Sequence, residues 1–370
     1  MERIKIEENK KTAEIEPILE YQNTEEKNEE EDAQPASAKD YDVAKKIYEI
    51  RQKIDELENK PKKSSVSRVV GNLPQKDKQE ILESMDYSFA NQNMLKGEKK
   101  KTKEQREILE IVNQVTNEIL QKYGLENFDI PEENNHIIDE KILGNRSGDH
   151  NQPFQRSRIE NDSVRSAFMA NSFHEDLHFK SYQDWQILRN KPNKPEISRC
   201  GLMIITRDKG KVLFKNLNEA ITEAMCKKYA PKLLSHPLFK TEQEETQKII
   251  TDRPVGTFDS DIFYLRQKIS FLNLKQILLG KPEREYEERA FLYVAERQAL
   301  STLIKKLFTK NPAKFKNEEE IMEMFEKAML GGNINSIGKL IDHTFGKETF
   351  RRIGELGEDT KGLADFINTL

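Results

Sequence analysis

The stretch SFHEDLHFK, Ser172 to Lys180, places His174 and His178 four residues apart, with Glu175 directly after the first. Downstream, LNEAITEAM places Glu219 and Glu223 at the same spacing. On a helix, residues four apart lie one above the other on a single face. Two like charges so placed cost about a few tenths of a kcal/mol when exposed. Buried without a partner, they cost far more. A cation shared with two imidazoles removes that conflict. The bland alternatives are a solvated histidine face and, for Glu219, a variant capping box with Asn216 as the cap. The capping box explains Glu219 but leaves Glu223 unexplained.

Zinc accounts for the residue types. It takes nitrogen, sulfur and carboxylate donors, and a catalytic site uses three of them, with one position left for water. The metal lowers that water's pKa and a nearby carboxylate takes its proton. His174, His178 and Glu219 are the candidate ligands and Glu175 the candidate base. Glu223, one turn past Glu219, can accept a hydrogen bond from the outer nitrogen of a ligand histidine and fix its tautomer.

The rest of the chain sets the context. It has 370 residues, 35% hydrophobic and 34% charged, so part of it is expected to be solvated and not packed. A net charge of -4 gives no argument for nucleic acid or an acidic membrane as partner. There is no apolar run of about 18 residues and no apolar core of a signal peptide. Two cysteines, Cys200 and Cys226, are too few for a disulfide framework. These features predict a soluble, cytoplasmic protein with reduced thiols.

Residues 1–40 predict a disordered acidic tail, and 41–74 an amphipathic helix (41–60) with a linker, together a possible partner-binding segment. A domain follows over 75–370, with the candidate site in 160–230 and a mostly helical part in 231–370. Within it, KDKQEILESM predicts a short helix. KGEKKKTKEQR reads as a solvated loop and first helical turn. KEQREILEIVNQVTNEILQKYG predicts a long helix with Ile108, Ile111, Val112, Val115, Ile119 and Leu120 on one face and Gly124 just past its end. FDIP, HIIDEKIL and PFQRSRIE are candidate strands. DSVRSAFMANSFHEDLHFKSYQDW predicts helix. CGLMIITRDKGKVLFK predicts a hairpin turning at Asp208-Lys209-Gly210.

HEDLH followed by NEAITE resembles the thermolysin-like zinc metallopeptidases, the gluzincins, which carry His-Glu-x-x-His on one helix and Asn-Glu-Ala-x-Ser-Asp on the next. His174, Glu175, His178, Asn218, Glu219 and Ala220 match, with Thr222 for the family's Ser and Glu223 for its Asp. The resemblance covers roughly 160–230. It implies an α+β, mostly helical, zincin-like domain with a small sheet or hairpin beside the His-Glu-x-x-His helix. It implies Zn2+ held by His174, His178 and Glu219, with Glu223 and Asn218 supporting the ligands. It also implies hydrolysis of a peptide or protein substrate by a Glu175-activated metal-bound water. The gap between the two motifs is longer than in thermolysin. The family's downstream transition-state donor has no motif here; Tyr286, at an expected helix start, is the nominal candidate, with Tyr182 and His236 behind it. His136, His150 and His343 have no partner spacing. The competing expectation is a non-catalytic binding or scaffold protein with structural zinc.

Overall fold

The computed structural model describes residues 97–143, 147–151, 155–188, 191–206, 210–251, 261–267 and 286–370. The expected tail at 1–40, the helix and linker over 41–74, and the short helix KDKQEILESM lie outside the described residues.

The first described segment pairs a two-residue strand, β1 (Glu98–Lys99), with the sheet that follows, so the basic run contains strand as well as solvated loop. Helix α1 (Lys103–Lys122) starts from a true capping box. Thr102 Oγ1 accepts the Gln105 amide at 3.1 Å and Gln105 Oε1 accepts the Thr102 amide at 3.0 Å. Its expected apolar face is buried except for half-buried Ile111, and Gly124 leaves the helix at φ +68.

FDIP does not form a strand. Side-chain amides of α1 take the place of a strand partner: Asn113 donates to Ile130 O and accepts from Ile130 N, both at 3.0 Å, and Asn117 accepts from Phe128 N. HIIDEKIL splits into β2 (Asn135–Ile138) and α2 (Glu140–Leu143). β3 (Gly148–Asn151) and β4 (Arg156–Glu160) complete a sheet in the order β1-β2-β4-β3, with β2 and β4 parallel and β3 antiparallel at one edge.

Against this sheet lies α3 (Arg165–Lys180), the helix of the histidine pair. It has no local cap. The Glu242 carboxylate accepts the Arg165 and Ser166 amides at 2.9 Å each and caps it from a distance. At its other end, fully buried Lys180 reaches α1, donating to Thr116 Oγ1 (2.7 Å), Asn117 Oδ1 (2.9 Å) and Asn113 O (3.2 Å). The helix stops there, short of the expected Trp185. Ser181 turns extended, the Tyr182 amide donates to Met329 O, and a strand begins.

A four-stranded antiparallel sheet fills the long gap between the two motifs: β5 (Gln183–Leu188), β6 (Lys191–Cys200), β7 (Met203–Ile205) and β8 (Val212–Leu213). β7 and β8 form the expected hairpin, with Ile204 opposite Leu213 and Ile205 opposite Val212. β5 and most of β6 had no counterpart in the sequence reading. Helix α4 (Lys215–Leu234) follows at once from Phe214, which is left-handed at φ 60. Asn216 therefore sits inside the first turn, and the capping-box reading of Glu219 falls.

The chain beyond is helical as expected, except for an antiparallel pair that the sequence reading missed. After α5 (Lys240–Thr251) come β9 (Ile262–Gln267) and β10 (Tyr286–Ala290). Then follow α6 (Val294–Lys310), α7 (Glu318–Gly331), α8 (Ile334–Phe345), α9 (Thr349–Glu355) and α10 (Thr360–Thr369). Tyr286 thus opens a strand, not a helix. The charge-rich YEERA carries too little apolar alternation to announce one. The whole is α+β with small sheets, and one apolar core runs from α1 through α3 and α4 to the C-terminal helices. No helix among the described residues is long and apolar enough to cross a membrane.

Lys180 is the buried charge that seats the site helix on α1. Lys180→Met keeps an apolar stem but leaves its acceptors unpaired and removes the cation beside buried Asp176. Breaking one side of such an arrangement costs about 3–5 kcal/mol. Urea unfolding should show a loss of that order, and an unchanged midpoint would mean that Lys180 does not seat the helix.

Candidate metal centre

α3 and α4 pack so that the two i, i+4 pairs face each other. His174 Nε2 and His178 Nε2 are 3.0 Å apart, and Glu219 Oε2 lies 3.4 Å from the first and 3.2 Å from the second. A tetrahedral ion with donors at about 2.0–2.1 Å keeps those donors about 3.3 Å apart. The triangle has that size. These three residues form a group able to hold a metal ion.

The outer nitrogen of His174 is also occupied. His174 Nδ1 donates to Glu223 Oε2 at 2.8 Å, which leaves Nε2 as the nitrogen that turns its lone pair inward. The other Glu223 oxygen accepts the Leu292 amide at 2.5 Å. Asn218 accepts the Leu202 amide at 2.9 Å and sets its Nδ2 atom 3.5 Å from His178 Nδ1, a contact at the limit of hydrogen bonding. Glu223 and Asn218 thus each stand behind one of the two histidines.

The charges respond to this crowding. Burial opposes ionisation of Glu219, but the charge of His178 and hydrogen bonds from both histidines outweigh it and hold the carboxyl well below the usual range. Glu223 is also depressed: burial is overcome by its bond to His174. Burial works against the His174 cation, yet bonds to Cys226, Glu219 and Glu223 raise its pKa well above the ordinary imidazole value. Without a metal, a proton therefore plays the cation between these carboxylates. Glu175 shares the helix but turns elsewhere. Burial pushes it up to about 8, only partly offset by His174.

Glu175 packs against the edge strand. A Cβ built on Gly148 would stand 2.7 Å from Glu175 Oε1, so the glycine leaves room for the carboxylate. The Tyr293 ring stacks on His174, with centroids 5.8 Å apart and planes 12° apart. Tyr293 holds a left-handed φ of 53, rare for a residue with a side chain. Arg297 braces this turn by donating to Leu292 O at 2.8 Å and to Asp261 Oδ1 at 3.0 Å.

The other candidates fall elsewhere. Tyr286 pairs opposite Gln267 at the start of β10. Tyr182 leaves the ligand face: its ring lies under the Arg199 guanidinium at 4.7 Å and closes on Gly332. His236 Nδ1 accepts the Leu238 amide at the start of a 3-10 turn. His136 Nδ1 pairs with Glu98 Oε1 at 2.8 Å. His150 bonds Ser157 Oγ and packs on Phe179; burial, aided by the nearby charge of His178, pushes it down to about 3. His343 is exposed on α8. The sequence reading missed Cys226, Gly148 and Tyr293. Cys226 was findable, at i+7 from Glu219 on the same helical stripe. Tyr293 had no local signal.

Comparisons with known protein families, with curated proteins and with solved structures found no match.

Two outcomes follow from the geometry. Glu223→Gln keeps the side chain's shape but weakens the acceptor behind His174, and zinc affinity measured by competition with a chelating dye should fall about 10- to 100-fold. Because a raised His174 pKa means that a proton competes for the same nitrogen, zinc affinity should drop as pH falls through that raised value and level off above it. Calorimetry in buffers of different ionisation enthalpy should record proton release on binding. A pH-independent affinity with no proton release would remove His174 from the ligand set.

Proposed function

We propose that the chain is a zinc-dependent metallopeptidase of the gluzincin kind, with a zincin-like domain. The observation that carries this reading is the three-donor triangle of tetrahedral size with a buried carboxylate, Glu175, next in sequence to one of its corners. When bound, zinc supplies Lewis acidity that polarises a carbonyl and makes water acidic.

The chain's own residues divide the remaining work. Glu175, with a pKa of about 8, sits near neutrality, where a carboxylate both takes a proton from water and returns it to a leaving amine. A structural zinc site has no use for such a base. Glu219 adds a negative donor to two neutral ones. Glu223 fixes the His174 tautomer and orientation. Tyr293 keeps its phenolic proton, because the charge of Glu219 and burial raise its pKa, so it can donate a hydrogen bond to a developing oxyanion. It takes the place that Tyr286 held in the sequence reading. β3 stands at the edge of its sheet among the described residues, with Gly148 against Glu175. An extended peptide adding to that edge gains main-chain hydrogen bonds and presents a carbonyl beside the base.

Glu175→Gln removes the proton acceptor and keeps all three ligands. It should retain zinc and lose peptide hydrolysis by about 100- to 10,000-fold, whereas His178→Ala should lose both. Wild type and Glu175→Gln that are equally inactive on a broad peptide library, with zinc bound, would place the chain among non-catalytic proteins with structural zinc. Gly148→Ala gives a separate check: its new methyl displaces the Glu175 carboxylate, so kcat should fall while zinc content stays at wild-type level.

A further inference from the structure

Glu219, Glu223 and Cys226 occupy one stripe of α4, at i, i+4 and i+7. The first serves the metal triangle. The other two stand beside the same imidazole. Glu223 Oε2 is 2.8 Å from His174 Nδ1, and the Cys226 sulfur lies within 4.8 Å of a His174 ring nitrogen. Donor atoms of His174, Glu223 and Cys226 all lie within 4.8 Å of one another, which makes them a second group able to hold a metal ion. Cys226 and Glu223 are 2% and 5% exposed, so any ion there is largely shielded from water.

We infer that His174, Glu223 and Cys226 form a second metal position, selective for thiophilic divalent ions, whose filling disables the first. Selectivity comes from the sulfur, a soft donor absent from the His174, His178 and Glu219 triangle. Disabling comes from the shared ring. In the first position His174 binds through Nε2 and carries its proton on Nδ1, toward Glu223. In the second it binds through Nδ1, and the proton moves to Nε2, which then has no lone pair for the triangle. Glu223 is already ionised, and the Cys226 thiol gives one proton to solvent, so one proton is released for each ion bound. A hard, oxygen-seeking ion gains little from the sulfur and does not displace the thiol proton. The chain thus carries, beside its proposed zinc site, a place where cadmium-like ions act as inhibitors. The inference goes beyond the peptidase reading and can fail without it.

The test uses the zinc-loaded full chain and Cd2+. Cys200 is the only other cysteine; its buried thiol lies against His178 O, outside both groups. Cys200→Ser therefore serves as the background. Excess Cd2+ should produce the ultraviolet sulfur-to-cadmium charge-transfer band in this background, with one proton released per cadmium. The band should vanish in Cys200→Ser/Cys226→Ser and in Cys200→Ser/Cys226→Ala. The second replacement guards against a misfolded serine variant, and the melting temperature of both is checked first. No band in the Cys200→Ser background, or a band that survives loss of Cys226, overturns the inference. Simple exchange of cadmium for zinc at the first position would give bound cadmium without the band, which also overturns it. Zinc-supported peptide hydrolysis by the Cys226 variants, measured in parallel, reports on the peptidase reading separately.

Discussion

Glu223 spends one carboxylate oxygen on His174 Nδ1 and the other on the Leu292 amide. Through these two bonds a single side chain on α4 sets the histidine helix α3 and the entrance to α6. The consequence is a confined space where three inward-facing donors stand 3.0 to 3.4 Å apart. Lone pairs that close repel unless a cation or a proton lies among them. The fold supplies the compression from outside. Lys180 ties the end of α3 to α1, Glu242 caps its start, and Arg297 braces the turn that carries Tyr293.

The chemistry of the site rests on carboxylates of one kind in different surroundings. Glu219 and Glu175 are both largely buried, yet Glu219 is held well below the usual carboxyl range and Glu175 is pushed up to about 8. Glu219 faces both imidazoles and stays ionised as a donor. Glu175 faces Gly148 and the sheet edge, where burial outweighs the attraction of His174. Pairs of like groups driven apart in pKa by their surroundings are the usual sign of a division between charge and proton transfer.

Much of the site was legible because its residues sit on helices, where chemistry repeats at three and four. His174, His178, Glu219 and Glu223 could be paired from spacing alone, and the structure brings all four together. The β7–β8 hairpin was legible through its β-branched runs and turn glycine. What could not be read depends on long-range packing. The sequence offered Tyr286 as the donor, and only the left-handed turn before α6 brings Tyr293 onto His174. β5 and β6 lay hidden because SYQDW follows a helix without a Gly or Pro stop; the break comes from Tyr182 binding Met329 O, far off in sequence. Nothing around Lys180 in the sequence marks it as buried; it is fully buried because its three acceptors come from a helix more than 60 residues upstream.

The central claim is that His174, His178 and Glu219 hold a zinc ion. Anomalous diffraction on either side of the zinc absorption edge, from crystals grown with one equivalent of zinc, tests it most directly. The account requires one dominant anomalous peak at about 2.0–2.2 Å from His174 Nε2, His178 Nε2 and Glu219 Oε2 alike. Protein with these three side chains in place and a zinc peak elsewhere, or with no zinc peak at all, would contradict it.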